Sequence, residues 1–584
     1  MSNEVNKEVI SADARAAENT PEENKNPHEQ ENCKRKLTKK AKIAIISGVS
    51  VILVVAIVFG ILAACGLLTP YEKTVDPVDD NYRTFYQIFV GSFSDSDGDG
   101  IGDLRGIINR IDYLNDGDIN GGDDLGVQGL WLSPIFSSPT YHKYDANDYY
   151  TVDPRFGTEE DLKELIRLCD ERNVKIILDL VLNHTSTGNS WFLNFRTARR
   201  NGDSSNKYYN YYTCVTASEK VGGRSYQSLT GTNYYYECNF SSGMPELNYD
   251  NPAVRDEMLN VAKYYIDLGI DGFRFDAIKY IYYGDTKASA EFWEWYMDEL
   301  RAYDPDIYCV GECWSAESEI MQYYGSMNCF NFAMSGPESY AATTAKGKTN
   351  LGTYLNYVER FQNLVQSNNP DGMSIQFLSN HDQDRIAGAF ILPDQMKMLA
   401  NLYLLSPGSP FLYYGEEIGI RGSRGGANTD ANRRLAMLWG DGDTVEDPEG
   451  TTYPESAQID STVQSQLADE SSMLKHYSKL IGIRNRYPAI ARGNYAAFTT
   501  SEPDLGGFIV EYNGKFLYII HNVSDESITV DVSKIEGLTS WPNNAQLLDY
   551  VGVGGANLDG NSLTVDGRTS VIIAGDNVDI YGKK

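Results

Sequence analysis

Short apolar runs rich in β-branched and aromatic residues recur along the middle of the chain, separated by stretches with helical spacing. Runs at 84–93, 127–135, 174–182, 269–275, 307–310, 327–332, 374–378 and 410–414 read as strands. Before the third of them, residues 158–173 carry Leu162, Leu165, Ile166 and Cys169 on one helical face, with Thr158 as a plausible N-cap. The pattern at 251–268 is also helical. Strands alternating with helices predict a parallel sheet, and eight strands in this order fit a (β/α)8 barrel, an α/β fold.

The alternation breaks twice. Residues 201–248 are rich in Tyr, Ser, Gly and Asn and have no sustained period, too long a stretch for an ordinary loop. A small inserted domain is therefore expected at 185–248, after the third strand, between barrel segments 82–184 and 249–485. From 486 to 584 short strand-like runs are separated by Gly, Asn and Asp, which predicts a C-terminal antiparallel β-sandwich.

The amino terminus is a separate case. Residues 1–42 are polar and charged, and disorder is expected there. They end in the basic cluster Lys34, Arg35, Lys36, Lys39, Lys40 and Lys42. Residues 43–64 carry no charge and are long enough to span a bilayer, and the basic flank predicts a cytoplasmic N-terminal side. The run closes on Leu62-Ala63-Ala64-Cys65, which looks like a bacterial lipobox with Cys65 as the lipidated residue. Two readings stay open, a lipoprotein anchored at Cys65 and an uncleaved single-pass helix. Both tether the rest of the chain through residues 65–81 to the outer face of the cell membrane.

Length and charge narrow the picture. A chain of 584 residues implies several domains. A net charge of −31 argues against a nucleic-acid partner, which needs clustered Lys and Arg. The 41 tyrosines against 21 phenylalanines suit a core with polar tips, and some could stack on sugar rings. Eight cysteines imply no disulfide framework, Cys214 and Cys238 being the best candidate pair.

Candidate chemistry lies where four strands end. These ends are Asp179-Leu-Val-Leu-Asn183-His184, Gly272-Phe-Arg274-Phe-Asp276, Gly311-Glu312 and Ser379-Asn380-His381-Asp382. In a (β/α)8 barrel all four would meet at one rim. Cleaving a glycosidic bond takes one carboxylate as nucleophile and another as general acid/base. Arg274 and Asp276 are two residues apart on a strand and point the same way, so the arginine should keep that carboxylate ionised.

This set of segments resembles the α-amylase superfamily, glycoside hydrolase family 13, from about residue 84 to the C-terminus. The resemblance implies an α-glucan hydrolase with Asp276 as nucleophile, Glu312 as general acid/base and Asp382 as the carboxylate that stabilises the oxocarbenium-like transition state. It implies that His142, His184, Arg274 and His381 serve the sugar being cleaved and that Tyr144, in Tyr-His-Lys-Tyr-Asp (141–145), forms a platform beneath it. Asp179 and Asn183 read as architectural.

Asp95-Ser-Asp97-Gly-Asp99-Gly-Ile101-Gly-Asp103 places oxygen donors as in the first part of an EF-hand loop, Ile101 through its carbonyl. Position 12 is Gly106 rather than Glu, so it is not a true EF-hand. The superfamily carries a similar loop for a structural Ca2+. Ala277-Ile278-Lys279 resembles enzymes acting on α-1,4 bonds, whereas Met244-Pro-Glu246-Leu-Asn248 lies between the oligo-1,6-glucosidase and neopullulanase patterns. The resemblance thus points to a monomeric amylase of starch, maltodextrins and malto-oligosaccharides. An exo-acting α-glucosidase, a 4-α-glucanotransferase and a non-enzymatic transporter heavy chain are the alternatives.

Overall fold

The computed structural model describes residues 81–118, 124–426, 429–538, 540–575 and 578–581. The leader, the apolar run 43–64, Cys65 and most of the tether lie outside the described residues.

Eight parallel strands form the barrel: β1 Phe85–Ile88, β2 Gly129–Leu132, β3 Lys175–Leu180, β4 Gly272–Phe275, β5 Tyr308–Gly311, β6 Asn328–Cys329, β7 Ile375–Phe377 and β8 Ser409–Tyr413. Their order is β6-β5-β4-β3-β2-β1-β8-β7, and a parallel bridge between Phe330 and Ile375 joins the two ends. Six of the eight strands are shorter than their apolar runs, whose end residues leave the ladder for the flanking loops. Residues 90–92, for example, form a 3-10 turn.

Side chains alternate between the lumen and the helical shell. Phe85, Trp131, Ile177, Tyr308, Val310, Ile375, Phe377 and Phe411 pack together inside the barrel, with Phe85 stacked between Tyr308 at 4.9 Å and Phe411 at 4.6 Å. Tyr86, Ile88, Leu178, Phe273 and Phe275 face the outer core. Gly272 has no room for a side chain, since a Cβ there would sit 1.7 Å from the Tyr308 carbonyl oxygen.

The helix Glu159–Glu171 begins with a reciprocal capping box between Thr158 and Asp161. Asn251 caps the helix Pro252–Leu268. Between β3 and β4 lie the helix Ser190–Asn201 and a three-stranded sheet of Cys214–Thr216, Tyr226–Ser228 and Tyr234–Glu237. Cys214 and Cys238 are both free thiols, so the expected pairing does not form. The C-terminal part holds a five-stranded and a three-stranded antiparallel sheet. Its first strand is Asn494–Thr499, because Pro488 restarts a short helix, Pro488–Arg492, beyond the point where the pattern changes.

Candidate active site

The lumen alternation continues past the aromatic layer into a polar one. Gln87 follows Phe85 on the same face of β1, Asp179 follows Ile177 on β3, and Glu312 follows Tyr308 and Val310 beyond β5. His381 continues the phase of Ile375 and Phe377 beyond β7, and Asp276, just past the end of β4, continues the inward phase of Arg274. These groups meet at the C-terminal end of the barrel.

Arg274 is fully buried at their centre. Its Nη1 donates to Asp179 Oδ1 at 2.8 Å and to Asp276 Oδ1 at 2.7 Å, and its Nη2 lies 3.2 Å from Glu312 Oε2. Glu312 Oε2 also accepts the backbone N–H of Ala277 at 3.0 Å. Ala277 is held at φ +45°, the left-handed region, which is strained for a residue with a Cβ. That turn directs the Ala277 amide at Glu312 immediately after Asp276. Asn183 Nδ2 donates to the Asp276 carbonyl at 2.9 Å, so its part is to brace the same turn.

Asp382 stands on the other side. Its Oδ1 accepts from Arg434 Nη2 at 2.9 Å and its Oδ2 lies 3.1 Å from His381 Nε2. Tyr144 Oη is 2.6 Å from the same His381 nitrogen and donates to Asp179 Oδ2 at 2.8 Å.

Asp276, Glu312 and Asp382 line one cleft of about 770 Å3, with His142, Tyr144 and His184 in its wall. Arg274 and His381 are fully buried and act from behind these groups. Phe240, Ser241 and Met244, from the segment between β3 and β4, form part of the rim, and Trp314 and Tyr280 line it as well. Trp314 is 51% exposed and stacked on Phe332 at 5.1 Å. Arg434, Trp314 and Phe240 escaped the sequence reading. Arg434 follows β8 in a loop with no periodic or motif signal, and the aromatics look like any others until the cleft forms beside them.

Electrostatics separate the three acids. Burial would raise Asp382, but His381, Arg434 and Arg274 outweigh it and hold this carboxyl well below its usual range. Burial raises Glu312 against the pull of Arg274, with Asp276 and Asp382 adding to the rise. Asp276 is raised too, by burial and then by Asp382, with Arg274 opposing. Arg274 pulls Asp276 toward the ionised form as expected, and burial opposes that pull. The sequence displays the cation two residues away, whereas desolvation depends on what surrounds the pair. Burial pushes the interior Asp179 up to about 7 despite Arg274, and it holds His142 and His184 down at about 4 and so neutral.

Asp95, Asp97 and Asp99 converge, each offering a carboxylate oxygen within 4.8 Å of the others, a set suited to a hard cation. Gly98 and Gly100, at φ +85° and +87°, turn their amides onto Asp95, which also accepts from Thr444 at 2.7 Å. Ile101 donates its own N–H to Asp99 Oδ1 at 2.8 Å. Asp103 stands apart from the trio. Its two oxygens accept the amides of Gly106 and Ser96 at 2.7 and 2.9 Å, capping the helix Leu104–Asn109.

Residues 87–493 match the family described as Alpha amylase, catalytic domain. The chain belongs to the α-amylase family. It is therefore a glycoside hydrolase-type enzyme of the α-glucan hydrolase and transferase group. It is 35% identical to Alpha-amylase 3 of Dictyoglomus thermophilum over 494 residues, 84% of this chain and 92% of that one. It is 30% identical to a 4-alpha-glucanotransferase of Thermotoga neapolitana, over 77% of this chain and 98% of that one. Among solved structures, Eubacterium rectale Amy13B superposes with a TM-score of 0.78 at 33% identity, covering 86% of this chain and 96% of its own.

Proposed function

We propose that this family member is an extracellular, retaining hydrolase of α-1,4-glucosidic bonds in starch and maltodextrins. The observation that carries the reading is the sharing of one buried guanidinium by Asp276 and Glu312 in the cleft where Asp382 also opens. Retention needs the two working carboxyls about 5–5.5 Å apart, and partners of adjacent nitrogens of one arginine suit that spacing.

Asp276 attacks the anomeric carbon while protonated Glu312 gives its proton to the leaving oxygen. Water, deprotonated by Glu312, then releases the sugar with its α-configuration restored. Asp382, fully ionised beside Arg434, offers negative charge to the oxocarbenium-like transition state. Tyr144, His142 and His184 hold the sugar ring. The carboxylates of Asp95, Asp97 and Asp99, with the carbonyl of Ile101, would hold a structural Ca2+, while Asp103 stays with its helix cap. The protein works as a monomer, fixed to the outer face of the membrane by lipid on Cys65 or by the apolar run 43–64.

The test is product analysis on maltoheptaose, pullulan and isomaltose, with the product anomer read by NMR. Mixed malto-oligosaccharides of α-configuration are expected from maltoheptaose, and Asp276→Asn should abolish them. Glucose alone would mean exo-action, products longer than the substrate would mean transfer, and β-products would refute retention. For the anchor, Cys65→Ala should release the protein from a lipid-labelled membrane fraction if the lipoprotein form is right.

A further inference from the structure

Gln87 is the one residue of the Phe85–Ile88 strand that brings a polar group to the lumen. It is buried, and its Nε2 lies 2.7 Å from Nδ1 of His381, 294 residues away. We propose that Gln87 is a positioning residue for the reaction, setting the ring proton of His381 on Nε2 so that the histidine can hold both Tyr144 and Asp382.

Nε2 of His381 faces two oxygens, Asp382 Oδ2 at 3.1 Å and Tyr144 Oη at 2.6 Å. The first is a carboxylate oxygen and can only accept. With Asp179 ionised against Arg274, the second has its single proton engaged toward Asp179 Oδ2 at 2.8 Å, so it also has only lone pairs to offer. Two acceptors facing one ring nitrogen require that nitrogen to carry hydrogen.

Burial favours the neutral ring, and Arg434 and Arg274 add to it, together outweighing the pull of Asp382. A neutral imidazole protonated on Nε2 has a lone pair on Nδ1, and Nδ1 needs a donor. The Gln87 amide supplies one, and no hydroxyl or carboxylate at that site could both fill the space and be certain to donate. The directed chain is then Gln87 to His381, His381 to Tyr144 and Asp382, and Tyr144 to Asp179. Without Gln87 the proton is free to move to Nδ1. His381 Nε2 would then turn a lone pair toward Asp382, and the carboxylate and the tyrosine platform would lose a shared anchor.

The inference rests on the proposed role of Asp382 and Tyr144 in the cleft, and two readouts keep the failures apart. The first is the two-bond 15N–1H spectrum of histidine-labelled full-length protein, with the His381 signals found by their loss in His381→Asn. It reports the tautomer whatever the enzyme cleaves. A neutral ring with hydrogen on Nε2 is expected in the wild type, and hydrogen on Nδ1 in Gln87→Glu, whose carboxylate can only accept. Wild-type protonation on Nδ1, or a spectrum unchanged in Gln87→Glu, would overturn the proposal.

The second readout is maltoheptaose turnover in Gln87→Met, alone and combined with His381→Asn. Gln87→Met should lower kcat roughly tenfold to a hundredfold with little change in KM, the scale of one buried hydrogen bond left unmade. In the His381→Asn background the same change should cost almost nothing. An equal loss in both backgrounds would show that Gln87 merely supports the barrel and would refute the proposal. If the wild type cleaves no α-glucan, the proposed function fails, and the spectrum alone decides the tautomer.

Discussion

Replacing Arg274 by Met tests the electrostatics of the site most severely. The apolar stem is largely kept, but the guanidinium that meets Asp179, Asp276 and Glu312 disappears. Removing one partner of a buried ion pair costs about 3–5 kcal/mol, since the remaining charge has neither water nor partner. Three carboxyls are stranded here, but the loss will not triple, because each can take up a proton instead. The variant should therefore lose about 3–5 kcal/mol near pH 7.5.

The sign with pH follows from the raised carboxyls. A group whose folded pKa exceeds its unfolded value contributes stability below the unfolded pKa and loses it as pH rises through the folded one. Asp179 at about 7, with Asp276 and Glu312 also raised, already behaves this way in the wild type. Without Arg274 the native state keeps at least one further proton, worth about 1.4 kcal/mol per pH unit. Over about 2.5 units, from pH 7.5 to 5, that removes about 3.5 kcal/mol, and the penalty should shrink to roughly 0–1.5 kcal/mol. Urea unfolding at both values measures it, and Arg274→Lys, which returns charge without the fork, should recover part of the loss. A penalty under about 1 kcal/mol at pH 7.5, or one equal at both pH values, would refute the picture of a single cation neutralising a buried acid cluster.

Two other outcomes are expected. The kcat/KM profile should be a bell displaced upward from ordinary carboxylates, since Asp276 must lose a proton and Glu312 must keep one and both are raised; activity that stays flat down to about pH 4 would contradict this, and Glu312→Gln should remove the alkaline limb on aryl glucosides. Calcium at a hundred times its Kd should add about 2.7 kcal/mol to unfolding, and Asp97→Ala should abolish that increment, because the loop joins the start of the barrel to Asp443 and Thr444.

The sequence by itself determined much of the architecture. Eight apolar runs became eight strands, and Thr158 and Asn251 capped the helices they precede. Both are decided inside one short segment, by side-chain alternation and by local hydrogen bonds. The same alternation showed that Arg274 and Asp276 share a face and that Asp179, Glu312 and His381 terminate strands at one rim.

Tertiary structure decided what each group experiences there. Arg434 reaching Asp382, Trp314 and Phe240 lining the cleft, Asp103 turning to a helix cap and Gln87 meeting His381 depend on loops and on strands brought together by barrel closure. No pattern along the chain encodes a contact across 294 residues. The upward shift of Asp276 belongs in the same class. Desolvation and the summed field of distant charges are properties of an enclosure, and the enclosure exists only once the barrel has closed around it.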